Sequence, residues 1–204
     1  MLKPRSANPN GELIALPGAS IRALAPGAAV NYVSVGAMPA LSALAGVKTY
    51  SEGNCDPTGL ALSPGSDIAV GFREQTTGAP LLVQIMDRTN GTILKSINAG
   101  GGDQIEYDAS TNRYYNAGSR WTASGKAGPG GACSAASPCT PVLSIIDAGT
   151  RTLVTQLASG NNAHSVAVDG VTGKAFVPIS SGSSPAGCAT CASEGAGLLT
   201  FAIR

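Results

Sequence analysis

His164 is the single histidine of this 204-residue chain, and it is the first residue to consider for chemistry. An imidazole titrates near neutral pH, so it can act as a general base or as a ligand. Asp103 follows three glycines, residues 100–102, which allow unusual backbone angles and a close approach to a ligand. The structural alternatives are that His164 hydrogen-bonds neighbouring backbone and that Asp103 caps a turn.

No nucleophilic constellation accompanies these two residues. The Gly-x-Ser-x-Gly elbow is absent, and Ser165 merely follows His164 in a predicted strand. Walker A and dinucleotide-binding motifs are absent as well. Cys55 could be paired with His164, but nothing in the sequence indicates a lowered pKa for that thiol.

The composition excludes several classes of protein. Charged residues make up 12% of the chain, about half the usual share, and the net charge is +1. Lys and Arg are not clustered, so we expect no nucleic-acid partner. No apolar run reaches the ~18 residues of a membrane helix, so we expect no membrane span. The 27 glycines and 13 prolines favour a turn-rich, all-β chain.

Four of the five cysteines lie close together in two loops rich in small residues. Cys133 and Cys139 bracket one such loop, and Cys188 and Cys191 lie in the other, which leaves Cys55 unpaired. Short spacings in polar loops favour local disulfides and an oxidising compartment, so we expect a secreted or periplasmic protein. The alternative is an intracellular protein, since no signal peptide is visible. A four-cysteine zinc site is the less favoured interpretation.

Three segments of the sequence repeat an apolar strand, a turn and a second strand: 58–72, 103–117 and 164–178. Each begins with apolar residues at alternate positions, as a half-buried strand does. Two more apolar strands follow the first two copies, joined by turns after Asp87 and Asp147, and one follows the third copy. Four short strands in a unit of about 45 residues are typical of a β-propeller blade.

The sequence therefore predicts an all-β fold of about three and a half to four propeller blades, each of four antiparallel strands. We expect an irregular N-terminal part (1–50), with the end of an earlier blade or a closing strand, followed by blades (51–204) at about 53–100, 101–160 and 161–204. The inserts between second and third strands would be loops on one rim. A compact four-bladed ring, a homodimer that completes a larger propeller, and a fragment of a longer protein remain open.

Three motifs resemble the YVTN/NHL-type β-propeller repeat proteins and the related gluconolactonase-like propeller lactonases: Asn54-Cys-Asp-Pro-Thr-Gly-Leu-Ala-Leu-Ser-Pro64, Ala163-His-Ser-Val-Ala-Val-Asp169 and Gly173-Lys-Ala-Phe-Val-Pro178. The resemblance covers residues 53–204. It implies a propeller with a divalent metal, commonly calcium, in the central channel. In these relatives, carboxylate and Asn side chains near the start of the innermost strands hold the metal.

The positions in that register give the candidate metal ligands Asp103, Asp56 and Asn54, whose oxygen atoms suit calcium. Further channel candidates are Glu106, Thr58 and Asn162. Thr58 stands where the relatives carry Asn. Glu106 replaces an alanine of the other two copies, so it points either into the channel or between blades. A carboxylate on an inner strand needs a partner such as a metal or Arg.

The resemblance implies a hydrolase that opens a lactone ring, either an acyl-homoserine lactone or a sugar lactone. The metal would polarise the carbonyl and stabilise the oxyanion. His164 and Asp103 are the predicted catalytic residues, with His164 or a metal-bound carboxylate activating water. The alternative is a non-catalytic β-propeller that binds a protein, glycan or small ligand through its loop-bearing rim.

Overall fold

The computed structural model describes residues 13–15, 22–24, 50, 56–73, 80–102, 104–126, 138–160, 162–180 and 195–203. The chain divides into two compact units, Met1–Thr49 and Tyr50–Arg204. In the first unit, β1 (Leu13–Ala15) pairs antiparallel with β2 (Arg22–Leu24). The described residues contain no helix long and apolar enough to cross a membrane.

The second unit contains three antiparallel sheets whose strands follow one another in chain order. Sheet I consists of β3 (Asp56–Leu62), β4 (Asp67–Arg73), β5 (Leu82–Asp87) and β6 (Ile93–Asn98). Sheet II consists of β7 (Gln104–Asp108), β8 (Arg113–Gly118), β9 (Val142–Asp147) and β10 (Thr152–Ala158). Sheet III consists of β11 (Ala167–Asp169), β12 (Lys174–Ile179) and β13 (Gly197–Ala202). The all-β prediction is confirmed.

Aspartates close the tight turns between strands. Asp87 Oδ1 accepts hydrogen bonds from the amide and hydroxyl of Thr89 at 2.8 and 2.6 Å. Asp147 Oδ1 accepts the equivalent pair from Thr150 at 2.7 and 2.9 Å. Asp108 and Asp169 cap the turns between the first and second strands of sheets II and III in the same way. The predicted turns after Asp87 and Asp147 are confirmed, and local side-chain bonds of this kind stabilise turns.

Sheet II packs on both of its faces. Tyr114 and Ile146 belong to a core shared with sheet I, whereas Tyr115 and Leu143 belong to a core shared with sheet III. Neighbouring residues of a strand point to opposite faces, so the fully buried pair Tyr114 and Tyr115 divides between the two cores. The first strands follow this order, since β7 contacts both β3 and β11.

Strand pairing shows that the repeats 58–72 and 103–117 differ by one residue between their first and second strands. Gly71 pairs with Val83, and Ala117 pairs with Leu143. Val83 and Leu143 each lie four residues before the aspartate that ends the third strand. Gly71 is therefore equivalent to Ala117. Because Leu62 pairs with Ile68 and Tyr107 pairs with Tyr114, the connection between first and second strands is one residue longer in sheet II than in sheet I.

Candidate functional site

The structure describes four of the seven candidate residues with their side chains: Glu106, Thr58, His164 and Asn162. Asp103 and Asn54 lie outside the described residues. Asp56 contributes its backbone to β3, where it pairs with Arg73.

Glu106 lies on β7, on the face of sheet II that packs against sheet III. Its Oε2 accepts a hydrogen bond from the backbone amide of Val168 on β11, at 2.8 Å. The sequence predicted a metal or an arginine as the partner of this carboxylate; the structure provides a backbone amide from the next sheet. A carboxylate at this position satisfies a strand amide that the alanines at equivalent positions could not.

Thr58 holds β3 against the segment that enters sheet II. Its Oγ1 donates to the carbonyl oxygen of Gly102 at 2.7 Å and lies 3.3 Å from that of Gly71. The hydroxyl of Thr58 is therefore bonded to backbone, at the residue that immediately precedes Asp103 in the chain.

His164 and Asn162 lie in the segment that leads into sheet III. The amide of His164 donates to the carbonyl oxygen of Asn162 at 2.9 Å, and its half-buried ring places Nδ1 3.5 Å from Ser165 Oγ. Asn162 has a φ of 58° and donates from Nδ2 to Ser180 Oγ at 3.3 Å. The sequence predicted that His164 starts a strand, but β11 begins three residues later, at Ala167.

The glycines before Asp103 approach protein backbone. The amides of Ala99, Gly100 and Gly101 all donate to the carbonyl oxygen of Leu81, at 3.1, 2.9 and 2.9 Å. Gly100 and Gly101 have φ values of 93° and 57°, and a Cβ on Gly101 would collide with the carbonyl oxygen of Phe72. Glycine is required here by a neighbouring strand of sheet I, because an L side chain fits neither the angle nor the space.

A buried polar cluster next to these glycines was not anticipated from the sequence. Asn116 is fully buried, and its Nδ2 donates to the carbonyl oxygens of Ala99 and Gly101 at 2.9 and 2.5 Å. Ser144 Oγ donates to the same carbonyl of Ala99 at 2.8 Å. The signal in the sequence was a polar residue at a core-facing position of a strand, flanked by Tyr115 and an alanine.

An ion pair joins the opposite end of the same two sheets. Arg151, in the turn between β9 and β10, places Nε 2.8 Å from Asp67 Oδ2 and Nη2 3.2 Å from Oδ1. The Arg151 side chain is 40% exposed, so solvent screens the pair and its contribution to stability is small. This ion pair connects two turns and includes none of the candidate residues.

The described donor atoms do not fit a calcium site. Within the ranges that the structure describes, no group of three or more His, Cys, Asp or Glu side chains could hold a metal ion. Glu106 and Thr58 direct oxygen atoms to backbone groups. Asp103, Asn54 and the side chain of Asp56 lie outside the described part of the chain, so the role of these three residues as ligands stays a prediction.

The loop between β8 and β9 has an anchored base. Thr122 forms an isolated β-bridge with Cys139, and the amide of Thr140 donates to the carbonyl oxygen of Trp121 at 2.7 Å. Thr122 Oγ1 also donates to the carbonyl oxygen of Lys126 at 2.8 Å. The two ends of the loop, 121–126 and 138–140, are thus held together where it leaves and rejoins the sheet.

The same loop base rests on sheet I. Lys126 bridges to Pro80, and the carbonyl oxygen of Gly125 accepts from the amide of Leu81 at 3.3 Å and from Asn98 Nδ2 at 2.9 Å. The described ends of this loop, residues 121–126 and 138–140, are therefore held by contacts to both sheets.

Comparisons with known proteins add little to this geometry. No family model and no curated protein matches the sequence. Among solved structures, the chain is similar to hydrazine synthase of Kuenenia stuttgartiensis, with a TM-score of 0.44 and 16% identity. The match covers 60% of this chain and 30% of that one, so the chain spans less than a third of its length. A likeness this weak assigns neither fold nor function.

Proposed function

We propose that the three sheets are successive blades of a β-propeller and that the protein is a non-catalytic binding module, which holds a protein, glycan or small ligand on its loop-bearing rim. The blade assignment is supported by the chain-order antiparallel sheets and by the packing of sheet II between its two neighbours. Four strands per sheet and radial repetition are features of propellers.

The anchored base of the loop between β8 and β9 is the observation that carries this function. Binding residues commonly lie on loops that a rigid scaffold positions. Here the scaffold is explicit, because the bridges Thr122–Cys139 and Pro80–Lys126 fix both ends of the loop on two sheets. Residues 127–137 contain no charged side chain. A partner would therefore be recognised through backbone groups and serine hydroxyls, which suits an uncharged ligand surface.

We also propose that a local disulfide between Cys133 and Cys139 closes this loop. The proposal is supported by the short spacing of the two cysteines in the sequence and by the burial of Cys139, which is 6% exposed. A cross-link over so short a loop would lower the entropy that the loop loses when it binds a partner.

The test is a binding screen with a loop exchange. The protein is screened against a glycan array and against a panel of uncharged peptides, and residues 127–137 are replaced by a short Gly/Ser linker. A matched control replaces residues 74–79, which also join a second and a third strand. We expect the first exchange to abolish binding and the second to leave it unchanged. Binding that survives the first exchange would contradict the proposal.

The lactonase hypothesis is tested on the same material. Opening of acyl-homoserine and sugar lactones is followed in a pH-stat with calcium and with chelator, for the wild type and for Asp103→Ala. A binding module shows no ring opening under any of these conditions. Calcium-dependent activity that is lost in Asp103→Ala would overturn the non-catalytic proposal in favour of the hydrolase.

A further inference from the structure

Trp121, the single tryptophan of the chain, lies at the base of the loop between β8 and β9. Its backbone is held on both sides. The amide of Trp121 donates to the carbonyl oxygen of Gly118 at 3.4 Å, and its own carbonyl oxygen accepts from the amide of Thr140 at 2.7 Å. The residue is half-buried, so part of it remains accessible to a ligand.

Glycines adjoin both ends of the Trp121 side chain. A Cβ on Gly100 would stand 3.5 Å from the Cβ of Trp121, and one on Gly125 would stand 3.2 Å from Cη2, at the far edge of the indole. Gly125 also has a φ of 66°, which favours glycine. The side chain is thus fixed between two backbone segments, and little rotamer freedom remains to be lost when a ligand binds.

An exposed amide lies next to the same edge of the indole. Asn98, which ends β6 in sheet I, donates from Nδ2 to the carbonyl oxygen of Gly125 at 2.9 Å. The same Nδ2 and Cη2 of Trp121 both contact the position that a Cβ on Gly125 would take. Packing of sheet I against sheet II therefore places a side-chain amide beside the aromatic ring. Ser124, which is also exposed, adds a hydroxyl group in the neighbouring turn.

The chemistry of Trp121, Asn98 and Ser124 suits a neutral sugar. A pyranose ring has C–H groups on its faces and hydroxyls around its edge. An indole packs against the C–H groups, while an amide and a hydroxyl offer donors and acceptors to the edge. Lys126 is the only charged residue in the sequence from Trp121 to Thr140. The loop base therefore favours an uncharged ligand over an ionic one.

We propose that Trp121 is the stacking surface of a glycan-binding site, with Asn98 and Ser124 as hydrogen-bonding groups, and that the ligand is an uncharged oligosaccharide of pyranose units. This inference rests on the proposed binding function and narrows its ligand to one class. It also places the centre of binding at the base of the loop. Tryptophan is enriched among the few residues that supply most of the energy of an interface.

Tryptophan fluorescence tests the site directly, because Trp121 is the only tryptophan of the chain. The full chain is screened against an array of neutral glycans and then titrated with the oligosaccharides that bind. We expect their binding to change the emission of Trp121. In calorimetric titrations, Trp121→Ala should weaken binding about thirtyfold or more, as for a residue that dominates an interface. Trp121→Phe keeps an aromatic face and should weaken binding less.

Tyr50→Ala is the matched control. Tyr50 is also a half-buried aromatic residue, and its hydroxyl donates to the carbonyl oxygen of Thr89, in the turn before β6. We expect this variant to bind glycans like the wild type. Circular dichroism establishes that the variants are folded, and the fluorescence of the wild type does not depend on any variant. The proposal is overturned if no neutral glycan binds, or if glycans bind without changing the emission and equally well to folded Trp121→Phe and Trp121→Ala.

The exchange of residues 127–137 separates this proposal from the broader binding function. If uncharged peptides bind in place of glycans and the exchange abolishes their binding, the glycan site is wrong and the binding module is supported. If a glycan binds through Trp121 and the exchange leaves its affinity unchanged, the glycan site is supported and the role proposed for the loop is contradicted.

Discussion

The carboxylate of Glu106 accepts a hydrogen bond from the backbone amide of Val168, with 2.8 Å between Oε2 and N. The two residues are 62 positions apart in the chain, and the bond joins the first strands of sheets II and III. A carboxylate that was a channel candidate in the sequence thus connects two sheets. The contribution of this bond to stability can be measured.

Glu106→Ala should lower the free energy of unfolding by about 1–3 kcal/mol, because it leaves the amide of Val168 without an acceptor in a partly buried place. Glu106→Gln keeps an oxygen acceptor and should cost less. Urea denaturation followed by circular dichroism measures both. Equal losses for the two variants would show that the hydrogen bond to Val168 is not the stabilising contact.

Asn116 and Ser144 should contribute to stability as a unit, because both donate to the carbonyl oxygen of Ala99. Each alanine substitution should cost about 1–3 kcal/mol. The effects of substituting two residues that share a partner are not additive. The loss of unfolding free energy in the double variant should therefore differ from the sum of the two single losses by about 0.5 kcal/mol or more. Urea denaturation of the wild type, the two single variants and the double variant gives the coupling energy. Strict additivity of the losses would contradict the shared network.

Gly101→Ala should destabilise the protein more than Gly65→Ala. Both glycines have positive φ, 57° and 83°, so both substitutions carry the conformational cost of about 1 kcal/mol. A Cβ at position 65 meets nothing within 4 Å, whereas one at position 101 would collide with the carbonyl oxygen of Phe72. The difference in melting temperature between Gly101→Ala and Gly65→Ala therefore reports the cost of the contact with Phe72. Equal melting temperatures would show that the loop at Gly101 can move away.

Acid should destabilise the folded protein through its turn aspartates. Burial raises the pKa of Asp108, but hydrogen bonds from Thr111 and Ser110 outweigh it and hold the pKa below its ordinary value of 3.8. Hydrogen bonds from Thr150 lower the pKa of Asp147 in the same way. A carboxylate whose pKa is lower in the folded state stabilises that state above pH ~3.8 and loses this contribution as the pH falls further.

Melting temperatures at pH 6 and pH 3 check this dependence. The wild type should melt at a lower temperature at pH 3. Asp108→Asn should be less stable than the wild type at pH 6. Its melting temperature should fall less on acidification, because the asparagine side chain at position 108 does not take up a proton. If the melting temperature of Asp108→Asn falls as much between pH 6 and pH 3 as that of the wild type, the role given to Asp108 is contradicted.

Much of the local structure could be predicted from the sequence. Alternating apolar residues located most of the strands, and the aspartates after them marked the turns, because strand alternation and turn capping depend on residues that are neighbours in the chain. The long inserts were placed correctly between second and third strands. The exception was His164, which precedes β11 by three residues, since the alternation there continues beyond the paired strand.

The candidate site depended on contacts that the sequence does not specify. The sequence left Glu106 either in a channel or between blades, and it is bonded to Val168 of the neighbouring sheet. The glycines before Asp103 suggested a close approach to a ligand, and Gly101 lies against the carbonyl oxygen of Phe72. Asn116 was not singled out, although it is fully buried beside these glycines. The sequence by itself determined the strands, their order and their turns. Only the tertiary structure decided which polar groups join the sheets, because these contacts connect residues far apart in the chain and depend on how the sheet faces pack.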